Sequence, residues 1–215
     1  MFTSEFDTAT AMDKRKFLRL MSTSAVVAAT ASTLAGCFES KPSFVSIDVT
    51  GADYARDFSL PDQHGKLRSI KDFAGKIVVV FFGFTQCPDV CPTTMAELAE
   101  IRHTLGKDGE RVQGIFVSID PERDTPEVLK AYVENFDASF VALRPASAEQ
   151  LAAMAKDYKV YYKRVEGRTP TSYTMDHSAG SYIYDTRGQL RLYSRYGMGA
   201  KALAGDIAQL LKQAS

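Results

Sequence analysis

The run Ile77-Val78-Val79-Val80-Phe81-Phe82 constrains the fold more than any other stretch of this chain. A strand of consecutive β-branched and aromatic residues has no polar face, so both of its sides must be covered. After Gly83-Phe84-Thr85-Gln86 comes Cys87-Pro88-Asp89-Val90-Cys91-Pro92, and a helix follows. Pro92 suits the first helical turn, where its missing N–H costs nothing. Met95, Leu98, Ala99, Ile101 and Leu105 then recur at near-helical spacing. A doubly buried strand feeding an amphipathic helix predicts an α/β protein.

The rest of the chain extends that unit. Phe58-Ser59-Leu60 and the segment through Gly65-Lys66-Leu67 read as two short strands joined by a turn. Val112 to Ile119 is a strand. Asp124-Thr125-Pro126-Glu127 reads as a capping-box-like helix start, followed by an inward face of Val128, Leu129, Tyr132, Val133 and Phe136. Phe140 to Leu143 is a short strand, Ala148 to Tyr158 a helix, and Tyr161 to Val165 extended, with Tyr161 and Tyr162 as sheet residues. Ser181 to Tyr184 and Leu190 to Ser194 flank the turn Asp185-Thr186-Arg187-Gly188, and Lys201 to Lys212 is the last helix. Strand–helix–strand order implies parallel pairs with right-handed crossovers, and the late hairpin adds antiparallel strands. The expected fold is therefore thioredoxin-like: a mixed sheet flanked by helices, with an N-terminal hairpin and an inserted helix.

The first forty residues have a different character. Lys14-Arg15-Lys16 precedes Phe17-Leu18-Arg19-Leu20-Met21 and a small-residue run from Ala25 to Ala31, the order of an export signal. It ends in Leu34-Ala35-Gly36-Cys37, which resembles a bacterial lipobox and would make Cys37 the lipid-modified first residue of the mature protein. The stretch from Met21 to Gly36 is Ser/Thr-rich and short of the ~20 apolar residues a membrane span needs. The expected organisation is a lipoprotein-type export signal over 1–36, an anchor and tether over 37–55, and one folded domain over 56–215. Localisation would be the bacterial cell envelope, membrane-anchored and facing the periplasm. Lys+Arg and Asp+Glu each count 26, and Trp is absent. No basic excess or base-stacking platform points to nucleic acid.

In such a compartment a cysteine pair can form a disulfide or hold a metal. Of three cysteines, one belongs to the lipobox, leaving Cys87 and Cys91. A helix N-terminus favours thiolate, which both metal binding and disulfide exchange require. The three-residue spacer differs from the two-residue spacing of redox motifs. A third element, Asp176-His177, stands ahead of the Ser181 strand. Two thiolates and an imidazole suit Cu(I) and accept Cu(II), whereas a structural zinc site wants four protein ligands. His64, in a turn, and His103, on a helix, read as solvated. Met175 lies near His177, but packing or exposure explains it more simply than an axial thioether. Asp120, Glu122, Arg123 and Asp124 read as capping and orienting the next helix, with partner docking or shaping of the cysteine loop as the alternative.

Together Cys87-Pro88-Asp89-Val90-Cys91-Pro92, Ser118-Ile119-Asp120-Pro121-Glu122-Arg123-Asp124-Thr125 and Asp176-His177 resemble the Sco/SenC family of copper proteins, in the same order from about Phe58 to Leu211. The resemblance implies a thioredoxin fold binding one copper through Cys87, Cys91 and His177. It also implies a copper chaperone that helps mature the dinuclear copper centre of cytochrome c oxidase. The partner would be the copper-bearing subunit of that oxidase or another copper protein. On this reading the protein is a metallochaperone rather than an enzyme. The alternative is an extracytoplasmic thiol–disulfide oxidoreductase with Cys87 and Cys91 redox-active and His177 tuning them. Thioredoxin-like oxidoreductases place a proline opposite the cysteines. Here the nearest, Pro170, lies well before Ser181, and His177 occupies the approach. A thiol peroxidase is the weakest alternative, since nothing marks an arginine-supported peroxidatic cysteine.

Overall fold

The computed structural model describes residues 43–169 and 172–213. In chain order its strands are Ile47–Asp48 (β1), Leu60–Pro61 (β2), Leu67–Arg68 (β3), Ile77–Gly83 (β4), Val112–Ser118 (β5), Val141–Leu143 (β6), Tyr162–Glu166 (β7), Tyr173–His177 (β8), Ser181–Tyr184 (β9) and Leu190–Ser194 (β10). Its α-helices are Val90–Thr104 (α1), Pro126–Glu134 (α2), Ala148–Tyr158 (α3) and Ala200–Gln213 (α4). Six strands form one sheet in the order β1-β10-β9-β4-β5-β6. β4 runs parallel to β5 from Ile77↔Val112 to Gly83↔Ser118, and antiparallel to β9 on its other side. Every residue of β4 and β5 is buried, as an unbroken apolar run requires. Helices cover this mixed sheet, so the thioredoxin-like architecture is the observed one. β2 and β3 pair as the N-terminal hairpin.

The hairpin is held by Asp62, whose carboxylate accepts from the backbone N–H groups of His64 and Lys66 and from Arg68 Nε at 2.8 Å. The apolar stripe of α1 is in place, with Met95, Leu98 and Ile101 buried and Ala99 and Leu105 half-buried. His64 and His103 are exposed. Among the described residues, no helix is long and apolar enough to cross a membrane.

Four expectations are revised. Residues 43–55, expected in the tether, contribute β1 to the main sheet. The backbone N–H groups of Val45 and Ser46 donate to the Asp206 carboxylate of α4, and Ala55 is fully buried. These are backbone pairings and a single distant carboxylate, which apolar periodicity does not register. Second, Thr125, not Asp124, caps α2. Its hydroxyl accepts from Val128 N–H, while Asp124 turns inward to other partners. Third, Val128 is exposed, because the helix buries the face carrying Leu129 and Val133. Fourth, the extended segment after α3 is one arm of a hairpin. β7 pairs antiparallel with β8 from Tyr162↔His177 to Glu166↔Tyr173, in a two-stranded sheet of its own, with Tyr161 exposed just outside it. The alternation of Tyr173, Met175 and His177 on one face carries little apolar contrast and is easily missed. Pro170 and Cys37, with the whole export signal, lie outside the described residues.

Candidate metal centre

β4 ends at Gly83, and the chain leaves the sheet through Phe84-Thr85-Gln86-Cys87 before α1 begins at Val90. A turn closes the loop, with Cys87 N–H donating to the Phe84 carbonyl. Cys91 stands in the first turn of α1, and its backbone N–H donates to Cys87 Sγ at 3.4 Å. The spacer thus brings the two sulfurs together through the start of a helix. The N–H groups left free there favour negative charge on sulfur. Both thiols are free, Cys87 half-buried and Cys91 fully buried.

The third group arrives from the other sheet. His177 ends β8, and its Nε2 stands 3.6 Å from Cys91 Sγ. The metal-ligating atoms of Cys87, Cys91 and His177 all lie within 4.8 Å of one another. His177 Nδ1 is 2.9 Å from the Ser178 carbonyl oxygen. That oxygen can only accept, so Nδ1 carries the proton and Nε2 presents its lone pair to the sulfurs. Burial pushes the imidazole below its ordinary range, against the Ser178 carbonyl and Asp176, which favour the charged form. Burial also pushes the Cys91 thiol up, partly offset by the Phe84 backbone N–H. A buried neutral imidazole beside a thiol that burial keeps protonated gains most from a cation that can replace that proton.

The walls are aromatic. The His177 ring is edge-on to Phe84 at 5.9 Å and to Phe81 at 6.1 Å between centroids. Close approach of Cys91 to the sheet depends on Gly83. A Cβ there would stand 2.8 Å from Cys91 Sγ and 2.9 Å from Phe116 Cε2. A glycine ending a β-branched strand signals such an approach, and the sequence contains that clue.

Asp124 is the buried anchor of the loop. Its carboxylate accepts from Thr85 Oγ1 and from Ser118 Oγ, each at 2.6 Å, and from Thr85 N–H at 3.2 Å. It therefore ties the end of β5 to the loop that presents Cys87. Burial raises its pKa despite those hydrogen bonds. Asp120 is buried and bonded to Arg123 and to the Tyr173 hydroxyl. Glu122 is exposed, 3.7 Å from Arg164. Of the acidic stretch, then, Asp120, Arg123 and Asp124 shape the cysteine loop, and none of them caps α2. Met175 is half-buried and packs against the core, lining a cleft with Ile119, Tyr162 and Tyr173. Loop shaping, the alternative reading of Asp124, is the role its bonds to Thr85 and Ser118 give it, whereas Tyr173 is a contributor that sequence reasoning did not place.

Comparison with known proteins agrees with this geometry. The SCO1/SenC family model matches residues 48–212. A SCO2-like protein of Rickettsia felis is 37% identical over 134 residues, covering 62% of this chain and 65% of that protein. The structure of Bradyrhizobium japonicum ScoI with copper bound is 38% identical, with a TM-score of 0.64, covering 72% of this chain and 97% of that one. A SCO1/SenC family lipoprotein from Bacillus anthracis is 27% identical, with a TM-score of 0.60, covering 72% of this chain and 92% of that one. The chain spans a little under two thirds of the length of the Rickettsia relative. With the family model covering most of its length and its three cysteine- and histidine-bearing positions gathered at one point, the chain belongs to the SCO1/SenC family.

Proposed function

We propose that the protein is a copper metallochaperone in which Cys87, Cys91 and His177 hold one copper ion as cargo. The observation that carries this reading is the convergence of two sulfurs and one imidazole nitrogen within 4.8 Å, with the other imidazole nitrogen tied to a carbonyl. Two soft thiolates and an imidazole match Cu(I), and the imidazole extends the site to Cu(II). Cys87, the less buried sulfur, is the ligand an incoming partner thiol reaches first, so release proceeds by ligand exchange from that side. The recipient implied by the family is the copper-bearing subunit of cytochrome c oxidase. The basic, then small-residue N-terminus and the lipobox-like Leu34-Ala35-Gly36-Cys37 support an envelope lipoprotein anchored through Cys37 and facing the periplasm.

A second reading follows from the unequal burial of the cysteines. Cys87 as thiolate attacks a partner disulfide and expels one partner thiolate. Cys91 then attacks the mixed disulfide and expels the second, leaving Cys87–Cys91 oxidised and the partner reduced. The deciding experiment titrates copper into the reduced protein, its His177→Ala variant and its Cys87→Ser/Cys91→Ser variant. One tight equivalent in the parent, lost in the double cysteine variant and, for Cu(II), sharply weakened by His177→Ala, is the expected result. Failure of the parent to bind copper tightly, with ready reduction of partner disulfides, would replace the first reading by the second.

A further inference from the structure

Among the described residues, β8 pairs with β7 alone, in a sheet separate from the six strands that carry the cysteine loop. Ladder hydrogen bonds of the main sheet therefore do not set the distance from His177 to the sulfurs. The short link from His177 to Ser181, which pairs with Phe81 of β4, brings the histidine near the sulfurs, and side chains spanning the gap hold β8 against the cysteine loop.

Arg123 spans it. Its Nη1 donates to the Tyr173 carbonyl of β8 at 2.9 Å and to Oε1 of Gln86, the residue before Cys87, at 3.0 Å. Its Nε bonds one oxygen of Asp120, whose other oxygen accepts from the Tyr173 hydroxyl at 2.9 Å. The guanidinium carbon lies 3.6 Å from the Tyr173 ring centroid and 5.8 Å from that of Phe84, which itself packs against His177. Arg164 covers the Tyr173 ring at 3.7 Å as well. A single planar cation thus bonds the cysteine loop and the histidine strand at once. The directions of its donors suit a guanidinium and not an ammonium, because the fork is rigid and the face stacks.

We propose that Arg123, acting through Tyr173, is the positioning residue that holds His177 against the cysteine pair, and so decides whether the site offers three ligands or two. Two thiolates suffice for Cu(I), whereas Cu(II) depends on the imidazole. Loosening the clasp therefore discriminates between the two oxidation states. Discrimination between Cu(I) and Cu(II) rests on the copper reading above; the placement of His177 by Arg123 needs no metal.

The test uses the full-length chain as Arg123→Ala, Arg123→Lys and Tyr173→Phe, with His177→Ala as reference. In the apo protein, the His177 ring protons lie beside two aromatic rings and are ring-current shifted. The sequence has only two other histidines, His64 and His103, to assign. Arg123→Ala is expected to move the His177 resonances toward those of a solvated histidine and leave the other two in place. Its Cu(II) affinity should fall about 10- to 100-fold, the usual effect of losing an outer support, approaching His177→Ala, while Cu(I) binding changes little. Arg123→Lys should fail to restore Cu(II), and Tyr173→Phe should show a smaller loss in the same direction. Unmoved His177 resonances in Arg123→Ala would overturn the proposal. So would parallel loss of Cu(I) and Cu(II) in Arg123→Ala with Tyr173→Phe folded and like the parent. If His177→Ala itself leaves Cu(II) binding unchanged, the three-ligand copper reading fails, while the apo resonances still decide the positional claim.

Discussion

Gly83→Ala puts one methyl group where the structure has no room for it. The added Cβ would stand 2.8 Å from Cys91 Sγ and 2.9 Å from both Phe116 Cε2 and Phe81 Cε1. Non-bonded carbons prefer ~3.5–4.0 Å, so each neighbour must retreat by roughly 1 Å. Phe81 and Phe116 are fully buried on the central strands and have little freedom to yield. Overpacking of this kind costs about 1–3 kcal/mol, or roughly 2–12 °C in melting temperature for a domain of this size. Much of the displacement falls on Cys91, a ligand in the copper reading. Metal–ligand distances tolerate only about 0.2 Å, so a sulfur moved by several times that spoils the site before it unfolds the domain. Copper affinity should fall at least about tenfold, comparable to losing an outer support. The control is Gly114→Ala in β5, where a Cβ would press on Phe140 Cε1 at 2.7 Å, against a ring that is not among those packed on His177. Both variants should melt earlier, but only Gly83→Ala should bind copper weakly in a competition titration against a chelator. Parent-like affinity in Gly83→Ala, or equal weakening in both, would refute the reasoning.

Three further outcomes follow from buried polar groups. Asp124→Ala strands Thr85 and Ser118 donors inside the protein; unfolding in denaturant should show a loss of about 1–3 kcal/mol, and alkylation of Cys87 should quicken as its loop loosens. Tyr132→Phe removes a buried hydroxyl that has no hydrogen-bond partner among the described residues, so the same measurement should find stability unchanged or raised; a loss above about 1 kcal/mol would contradict that. Asp62 is driven up by burial but held below the usual carboxylate range by Arg68 and the N–H groups of His64 and Lys66. A depressed folded pKa gives stability that is full above the unfolded value of 3.8 and lost as pH falls through the folded one. Melting followed from pH 5 to pH 2 should therefore fall less steeply in Asp62→Asn than in the parent, and an unchanged slope would exclude this source.

Local signals in this chain are strong where burial is total. The run from Ile77 to Phe82 became a strand buried on both faces, and Pro92 and the stripe from Met95 to Ile101 became the helix after it. The hairpin from Ser181 to Ser194 formed across the turn ending in Gly188, whose φ of +73° suits glycine. Where contrast is low, periodicity said little. β8 has no fully buried residue, and β1 has only two exposed ones. Asp124 shows the other limit. Standing three residues before Glu127 it reads as a cap, yet three donors inside the fold take its carboxylate, and the neighbouring Thr125 hydroxyl does the capping.

By itself the sequence determined the chemistry: which residues could serve as soft ligands, that two of them share a strand-to-helix junction, and that the apolar runs must build a covered mixed sheet. Those are local properties, set by side-chain type, spacing and backbone preference. His177 joined the cysteines in the sequence only through a family resemblance; the tertiary structure shows how a residue 86 positions beyond Cys91 reaches it from the separate β7–β8 sheet. It also decided that Gly83 clears the space for a sulfur, and that Arg123, Asp120 and Tyr173 span the gap. Such contacts join residues far apart in the chain, and no periodicity records them. They exist because close packing leaves each buried polar group few partners within reach.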